Sequence, residues 1–371
     1  MADQQRTIAV VTGSRADYGL LRPVMRAIHD HADLQLRVIV TGVHLLPPEH
    51  TADEVARDFT IANTIPMQRP GECSRLEDAE ALGRGVTGFA QWLSRHPVDV
   101  VLVLGDRIEA LAAAAAASVG GIRVAHLHGG DRAEGIADEA IRHAITKLAH
   151  IHLPATEQSA KRIKAMGEDP DRIHVVGSPA LDELADFPPL PDEKMNALGW
   201  PEIVVLLHPI GEAIEHERAR AAQLLNLCQE AGKVLAVHPN HDAGREGIVE
   251  AIDNARCGQR DHLPRREFIG LLRRVRLLVG NSSAGLIEGA AIGVRCINVG
   301  RRQAGRDMCA NVINVPDGEP DSIKPAIARG LAEGLVEVEH GYGDGRAGIR
   351  TAAVLAAFDP ARLELVKRNT F

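Results

Sequence analysis

Aromatic side chains are scarce: Phe, Trp and Tyr make up 3% of the 371 residues. That leaves few faces on which single-stranded bases could stack. Cysteine is scarce as well, and the five present (Cys73, Cys228, Cys257, Cys296, Cys309) are odd in number, scattered and without a Cys-x-x-Cys pair. Such usage argues against a disulfide scaffold and fits a reducing cytoplasm. Long apolar runs are missing, since Val100–Leu104 and Ala112–Ala117 fall far short of a bilayer span. No basic segment followed by a small-residue cleavage site opens the chain. Positive charge is in deficit, with 42 Lys and Arg against 50 Asp and Glu and a net charge of -8. A chain-wide footprint for nucleic acid or an anionic membrane is therefore absent. No G-x-G-x-x-G follows the first strand and no Walker A loop occurs, which weakens dinucleotide-dehydrogenase and P-loop readings. What remains is a soluble, cytoplasmic α/β protein whose partner is a small anion.

The length exceeds what one hydrophobic core usually serves and predicts two domains. Short β-branched runs alternate with segments of helical period, the pattern of a parallel sheet covered on both faces. Strands are expected at Thr7–Thr12, Leu36–Thr41, Val98–Leu104, Ile122–Leu127, His150–Pro154 and Ile173–Val176, with helices such as Leu20–His31, Ile108–Ala117, Asp138–Ala149 and Gln158–Met166 between them. Four prolines and a Gly-Trp-Pro exit break the period over Phe187–Pro201, so the first domain is expected at 1–186 and a linker at 187–201. Alternation restarts at Ile203–His208 and continues through Lys233–His238, Arg276–Val279, Arg295–Val299 and Asn311–Val315, which predicts a second Rossmann-like domain over 202–350. The tail, 351–371, reads as helix broken at Asp359-Pro360 and is able to cross back to the first domain.

Ligands of open parallel sheets bind beyond the carboxyl ends of the strands. The unusual polar residues fall there: Arg15 and Asp17 after the first strand, Asp106 and Arg107 after Gly105, and His126, His128 and Asp131 around Gly129-Gly130. In the second half, His208, His238 and Asn240 end strands and Asn281-Ser282-Ser283-Ala284-Gly285 follows another. Two such edges facing each other would enclose an interdomain cleft.

Each feature also has a plainer account. Ser282 and Ser283 with Gly285 suit a diphosphate at a helix start, or a simple N-cap. Glu288 lies in the otherwise apolar stretch Leu286–Ile292, where a buried carboxylate wants donors such as a ribose diol. Arg301, Arg302 and Arg306 with Gly305 make a clamp for charge, or a solvated loop. Arg265, Arg266, Arg273, Arg274 and Arg276 read as exposed helix faces. Asp106-x-x-Glu109 has the spacing of a capping box, which is compatible with catalysis. Asp138 and Arg142 stand at i, i+4, the spacing of an intrahelical ion pair, on a helix whose first turn falls at the ligand edge. His150 and His152 read as structural, whereas His126 and His128 suit acid/base work or substrate contact. A metal would need further ligands that no cysteine pattern supplies.

Taken together, TGSRADYGLLRPVM, VLGDRIEALAAA, AHLHGGDRAEGIADEAIRHAITKLAH, the His208-Pro209 pair, GNSSAGLIEGAAIGVRCINVG and RRQAGRD resemble, in order and spacing from Thr7 to Val315, the hydrolysing UDP-N-acetylglucosamine 2-epimerases of sialic-acid and legionaminic-acid biosynthesis. The resemblance implies a GT-B fold, a UDP-sugar substrate, no metal, nicotinamide or flavin, and a homodimer or homotetramer. It implies loss of UDP with removal of the C2 proton to give a 2-acetamidoglucal, then addition of water to give N-acetylmannosamine. By the same matching, Asp106 and Asp138 are acid/base carboxylates, His208 lies near the diphosphate, Arg142 is an active-site arginine, Ser282 and Ser283 contact the diphosphate and Glu288 the ribose. His128 replaces the carboxylate of the His-Ile-Glu-Gly-Gly found in several members. That exchange leaves open an N,N'-diacetylbacillosamine donor carried on UDP or GDP. A non-hydrolysing epimerase that retains UDP on the sugar, a GT-B glycosyltransferase needing an acceptor, a metal-dependent phosphoesterase using Asp106, His126 and His128, and a catalytically silent sensor are the competing readings.

Overall fold

A computed structural model describes residues 5–47, 50–71, 74–133, 138–240, 242, 244–359 and 364–370, without the side chain of Asp138. It divides into two compact units: the described residues of Met1–Asp131, Ala137–Asp182 and Gly341–Phe371, and those of Arg132–Ile136 and Glu183–His340.

The first unit runs β1 (Arg6–Thr12), α1 (Arg15–Asp30), β2 (Leu34–Thr41), α2 (Ala52–Asp58), β3 (Ile61–Ile65), α3 (Arg75–Leu93), β4 (Val100–Leu104), α4 (Ile108–Val119), β5 (Arg123–Leu127), α5 (Asp138–Leu148), β6 (Ile151–Leu153) and α6 (Glu157–Ala165). The second runs α7 (Asp192–Ala197), β7 (Ile203–Leu206), α8 (Ile214–Ala231), β8 (Val234–Val237), α9 (Arg245–Asp253), β9 (Gly258–Arg260), α10 (Arg265–Leu272), β10 (Leu277–Gly280), α11 (Glu288–Ile292), β11 (Arg295–Val299), β12 (Val312–Val315) and α12 (Pro320–Glu333). Last in the chain, α13 (Ala347–Ala357) packs on α1 in the first unit.

Each unit holds a six-stranded sheet, ordered β3-β2-β1-β4-β5-β6 and β12-β11-β10-β7-β8-β9. The strands pair in parallel throughout. The chain is α/β, with two Rossmann-like sheets of the GT-B class. Strands buried on both faces explain the unbroken apolar runs: Val100, Val101, Leu102 and Val103 are each no more than 1% exposed. In each sheet the order reverses beside the first strand of the unit, between β1 and β4 and between β7 and β10. Loops leaving those four strands splay apart there, and that is where ligands of such sheets sit.

Several expectations are corrected. Residues 187–201 carry α7 and belong to the second unit, because Met195 is buried and Leu190 bonds to the Gly270 carbonyl. Residues from Gly341 onward, not 351, fall with the first unit, where Asp182 accepts the N–H groups of Ala347 and Gly348. Ile173–Val176 makes one bridge, to His152, in place of a strand. Pro360 lies outside the described residues, so the helix break expected at Asp359-Pro360 is bounded only by the end of α13 at Ala357.

Candidate active site

In the first unit, the β1–α1 turn is built around Asp17. Its carboxylate accepts from Thr12 Oγ1 at 2.7 Å, Gly13 N at 2.9 Å and Ser14 N at 3.0 Å, while Ser14 Oγ caps the helix on Asp17 N. Burial pushes the Asp17 pKa up, against loop donors that pull it down. Read from sequence as a substrate contact, Asp17 is occupied by the turn itself. Arg15 likewise reaches Glu54, at 2.6 Å.

The β4–α4 turn carries Asp106. Its carboxylate is ion-paired with Arg142, which is 3% exposed on α5. The expected capping box does not form. Arg107 is the N-cap but makes no side-chain capping bond, and Glu109 is buried and accepts from Gln68 Nε2 at 2.7 Å. The Asp138–Arg142 ion pair falls on a side chain outside the described residues; Arg142 otherwise donates to Glu139 Oε2 at 3.2 Å and to the Asp131 carbonyl at 2.8 Å.

Past β5, His128 adopts a left-handed backbone, φ +61°, which strains a side-chain-bearing residue. Its Nδ1 lies 2.9 Å from Asp131 Oδ2 and its Nε2 3.1 Å from Ser178 Oγ. Asp131 in turn accepts from Ser159 Oγ at 2.8 Å. His126 is fully buried, with Nε2 2.7 Å from the Gly105 carbonyl and Nδ1 3.2 Å from Thr146 Oγ1. Burial pulls its pKa down to about 3, so it is no acid/base group at neutral pH. His150 and His152 are structural: His150 Nε2 meets the Leu365 carbonyl at 3.1 Å and His152 Nε2 meets Glu168 at 2.9 Å.

In the second unit, β7 and β10 bring His208 and Asn281 together. Asn281 accepts from His208 N at 2.7 Å and donates to the His208 carbonyl at 2.8 Å. The Asn240 N–H donates to His208 Nδ1 at 3.2 Å, and Asn240 Nδ2 donates to Asp242 at 2.6 Å. Burial, reinforced by the Arg302 charge, pulls the His208 pKa down to about 3. Arg302 Nη1 and Gln303 Nε2 both donate to the Asn281 carbonyl, at 3.2 and 2.9 Å. Arg306 follows in the same turn, its N–H on the Gln303 carbonyl at 3.2 Å. His238 is turned to β9, with Gln259 at 3.3 Å and Asp261 at 3.4 Å.

Ser282 caps a 3-10 turn, Ser283–Gly285, by accepting from Ala284 N at 3.3 Å. Gly285 is also required by packing. A Cβ there would stand 2.2 Å from Cys296 Sγ. Glu288, 7% exposed, accepts from Arg265 Nη1 at 3.0 Å. Arg265 is thus no solvated helix head; nor are Arg273 and Arg274, which donate to the Leu184 and Leu190 carbonyls at 2.9 and 2.6 Å.

Sequence reasoning missed Ser178 and Gln303, and it read Arg265 only as a solvated helix head. Asn281 was placed at the ligand edge beside the Ser-Ser pair but given no role of its own, whereas nothing in the sequence marks Ser178. Among the described residues no group of three His, Cys, Asp or Glu side chains stands ready for a metal, and no helix is long and apolar enough to cross a membrane.

A family model described as UDP-N-acetylglucosamine 2-epimerase matches residues 26–356. The chain belongs to that family. A Legionella pneumophila protein named UDP-N,N'-diacetylbacillosamine 2-epimerase (hydrolyzing) is 36% identical, over 94% of this chain and 95% of its own. A Neisseria meningitidis UDP-N-acetylglucosamine 2-epimerase is 33% identical, over 92% and 91%. The solved Methanocaldococcus jannaschii UDP-GlcNAc 2-epimerase, in complex with UDP-GlcNAc and UDP, superposes with a TM-score of 0.80 at 17% identity, over 94% of this chain and 99% of that one. At that identity the match speaks for the fold.

Proposed function

We propose that this epimerase-family protein is of the hydrolysing type and converts UDP-N-acetylglucosamine and water to UDP and free N-acetylmannosamine. A base takes the C2 proton, the C1–O bond breaks with its electron pair leaving on UDP, and a C1=C2 double bond forms. Water then supplies hydroxyl to C1 and a proton returns to C2 from the other face. The observation that carries the reading is the Asp106–Arg142 pair at the ligand edge of the first sheet. Paired with a guanidinium, Asp106 presents the carboxylate form that a base needs. Asp138 and His128 share the proton transfers, with Asp131 holding the His128 ring.

In the second unit, neutral His208 with Nδ1 occupied keeps its proton on Nε2 and offers a fixed donor to the departing diphosphate. Ser282, Ser283, Arg302 and Arg306 add donors, and Glu288 takes the ribose diol. The product feeds nonulosonic-acid synthesis in the cytoplasm, and the working enzyme is a homodimer or homotetramer.

A diacetylated 6-deoxy donor, UDP- or GDP-linked, is the second reading. His128 in the family's carboxylate position and the name of the 36%-identical relative favour it. Incubation of each donor in deuterated water, followed by NMR, separates the cases. Release of free UDP or GDP with deuterium at C2 is expected, and the sugar formed names the substrate. No nucleotide release from any of the three donors overturns the hydrolysing assignment.

A further inference from the structure

We propose that His126 is a positioning residue for the reaction, setting the place of Asp106 by donating to the carbonyl of Gly105. The inference rests on the reading that Asp106 acts on the sugar. Gly105 turns the chain out of β4 with φ +71°, a left-handed conformation that glycine adopts without strain. One of its backbone groups is tied to the neighbouring strand, N–H to the Leu127 carbonyl at 2.9 Å. The other, the carbonyl, is held by His126 Nε2 at 2.7 Å. Asp106 is the next residue, so both anchors act one peptide away from the carboxylate.

The ring's protonation follows from its partners. A carbonyl oxygen only accepts, so Nε2 carries the proton. Burial keeps the ring neutral, which leaves Nδ1 as an acceptor for the Thr146 hydroxyl at 3.2 Å. Thr146 and Arg142 stand at i, i+4 on one face of α5. That face therefore grips the β4–α4 turn twice: Arg142 holds the Asp106 carboxylate directly, and Thr146 holds it through His126 and Gly105. Gly129 closes the ring's pocket, since a Cβ there would lie 2.8 Å from His126 Nδ1. His126 touches no space open to substrate, so it acts through Asp106 rather than on the sugar.

The test compares His126→Leu, which removes the donor, with His126→Gln, whose amide nitrogen reaches the Nε2 position. With the donor that the wild type turns over, His126→Leu is expected to lower kcat about 30-fold or more while KM stays within about threefold, as displacement of a reacting group does. His126→Gln is expected to recover kcat to within about fivefold, and Thr146→Val to fall between the two. The Kd for UDP, measured by calorimetry, is expected to be unchanged in all three. Wild-type kcat in His126→Leu, or an equal loss in His126→Gln, overturns the proposal. Should His126→Leu fail to fold, the wild-type protein still decides through 15N NMR of its histidines. An Nε2–H tautomer that stays neutral at pH 5 is required, and an Nδ1–H tautomer or a protonated ring overturns the assignment. Failure of the functional reading is distinct: the wild type would then release no nucleotide from any donor, while the tautomer measurement stands.

Discussion

The backbone N–H of Asn240 donates to Nδ1 of His208 at 3.2 Å, so the loop after β8 dictates the tautomer of a histidine after β7. The ring is neutral above a pKa of about 3, lowered first by burial and then by Arg302. A depressed histidine pKa stabilises the fold above the unfolded value, near 6.5, and that stability drains away as pH falls toward 3. Between pH 5 and 9 His208 therefore adds no limb to the pH profile of kcat. His208→Ala is expected to lower kcat about 10²–10³-fold, the scale for loss of one fixed transition-state donor. His208→Gln, which retains a donor near Nε2, is expected to keep more of it. A kcat profile that loses a limb near pH 6.5 in His208→Gln would show that the ring titrates.

How much of this was legible differs by element. The strands that flank each switch point, β1, β4, β7 and β10, are continuous apolar runs and lie close to where the sequence predicted them. Helix α3 went unread because Gly85 and Gly88 interrupt its pattern. The structure explains them by close packing, since a Cβ at Gly85 would meet Met67 at 2.6 Å and one at Gly88 would meet Ile65 at 2.6 Å. Strand β9, Gly-Gln-Arg, carries no apolar signal at all. Helix α1 starts five residues before its expected Leu20, at Arg15, because the Ser14–Asp17 box draws the start into the polar loop. At the candidate site, residue types and strand ends were readable, but partners were not. Asp106 was paired in sequence with Glu109, three residues away, whereas the structure gives it Arg142 from another helix. Local spacing suggests neighbours along the chain and is silent on those that tertiary packing supplies.

Gly285 packs closely against Cys296. Gly285→Ala would drive a Cβ to 2.2 Å from Cys296 Sγ, and overpacking of that kind costs about 1–3 kcal/mol. Cys296→Ala removes the sulfur and leaves contacts of 3.3 Å to the Cys296 Cβ and 3.4 Å to Leu278. The double variant is therefore expected to melt higher than Gly285→Ala alone. Thermal unfolding of the three proteins checks this, and a double variant no more stable than Gly285→Ala would place the conflict elsewhere.

Lys367 ties the end of the chain to the first unit. Its ammonium lies 2.7 Å from buried Glu168, which also meets Lys147 at 2.6 Å and His152 at 2.9 Å. Burial alone would raise the Glu168 pKa, but these donors outweigh it and bring it down to about 2. Its contribution to stability is thus present above the ordinary glutamate value, near 4.5, and is lost as pH falls toward 2. Lys367→Met is expected to lower stability by about 1–3 kcal/mol at neutral pH, the scale for a hydrogen bond to a charged group, and to move acid unfolding to higher pH. Denaturant titrations across pH 2–7 measure both. An acid transition that stays where it is in the variant would mean that Lys367 does not hold Glu168.

Arg265 and Glu288 open two different helices, α10 and α11, and meet at 3.0 Å. Glu288 is 7% exposed, so losing the guanidinium leaves a buried carboxylate short of a partner, a costly state. If the pair serves to present the carboxylate to a ribose diol, each half matters through the other. Arg265→Met and Glu288→Gln are each expected to weaken UDP binding by about tenfold, or 1.4 kcal/mol. The double variant is expected to bind no worse than either single one, because residues in contact lose the same interaction only once. Calorimetry with UDP and with its 2'-deoxy analogue reads the role directly. The wild type is expected to prefer UDP, and Glu288→Gln to lose that preference. Equal binding of the two nucleotides by the wild type would remove Glu288 from the ribose, and strictly additive losses would show that Arg265 acts independently of it.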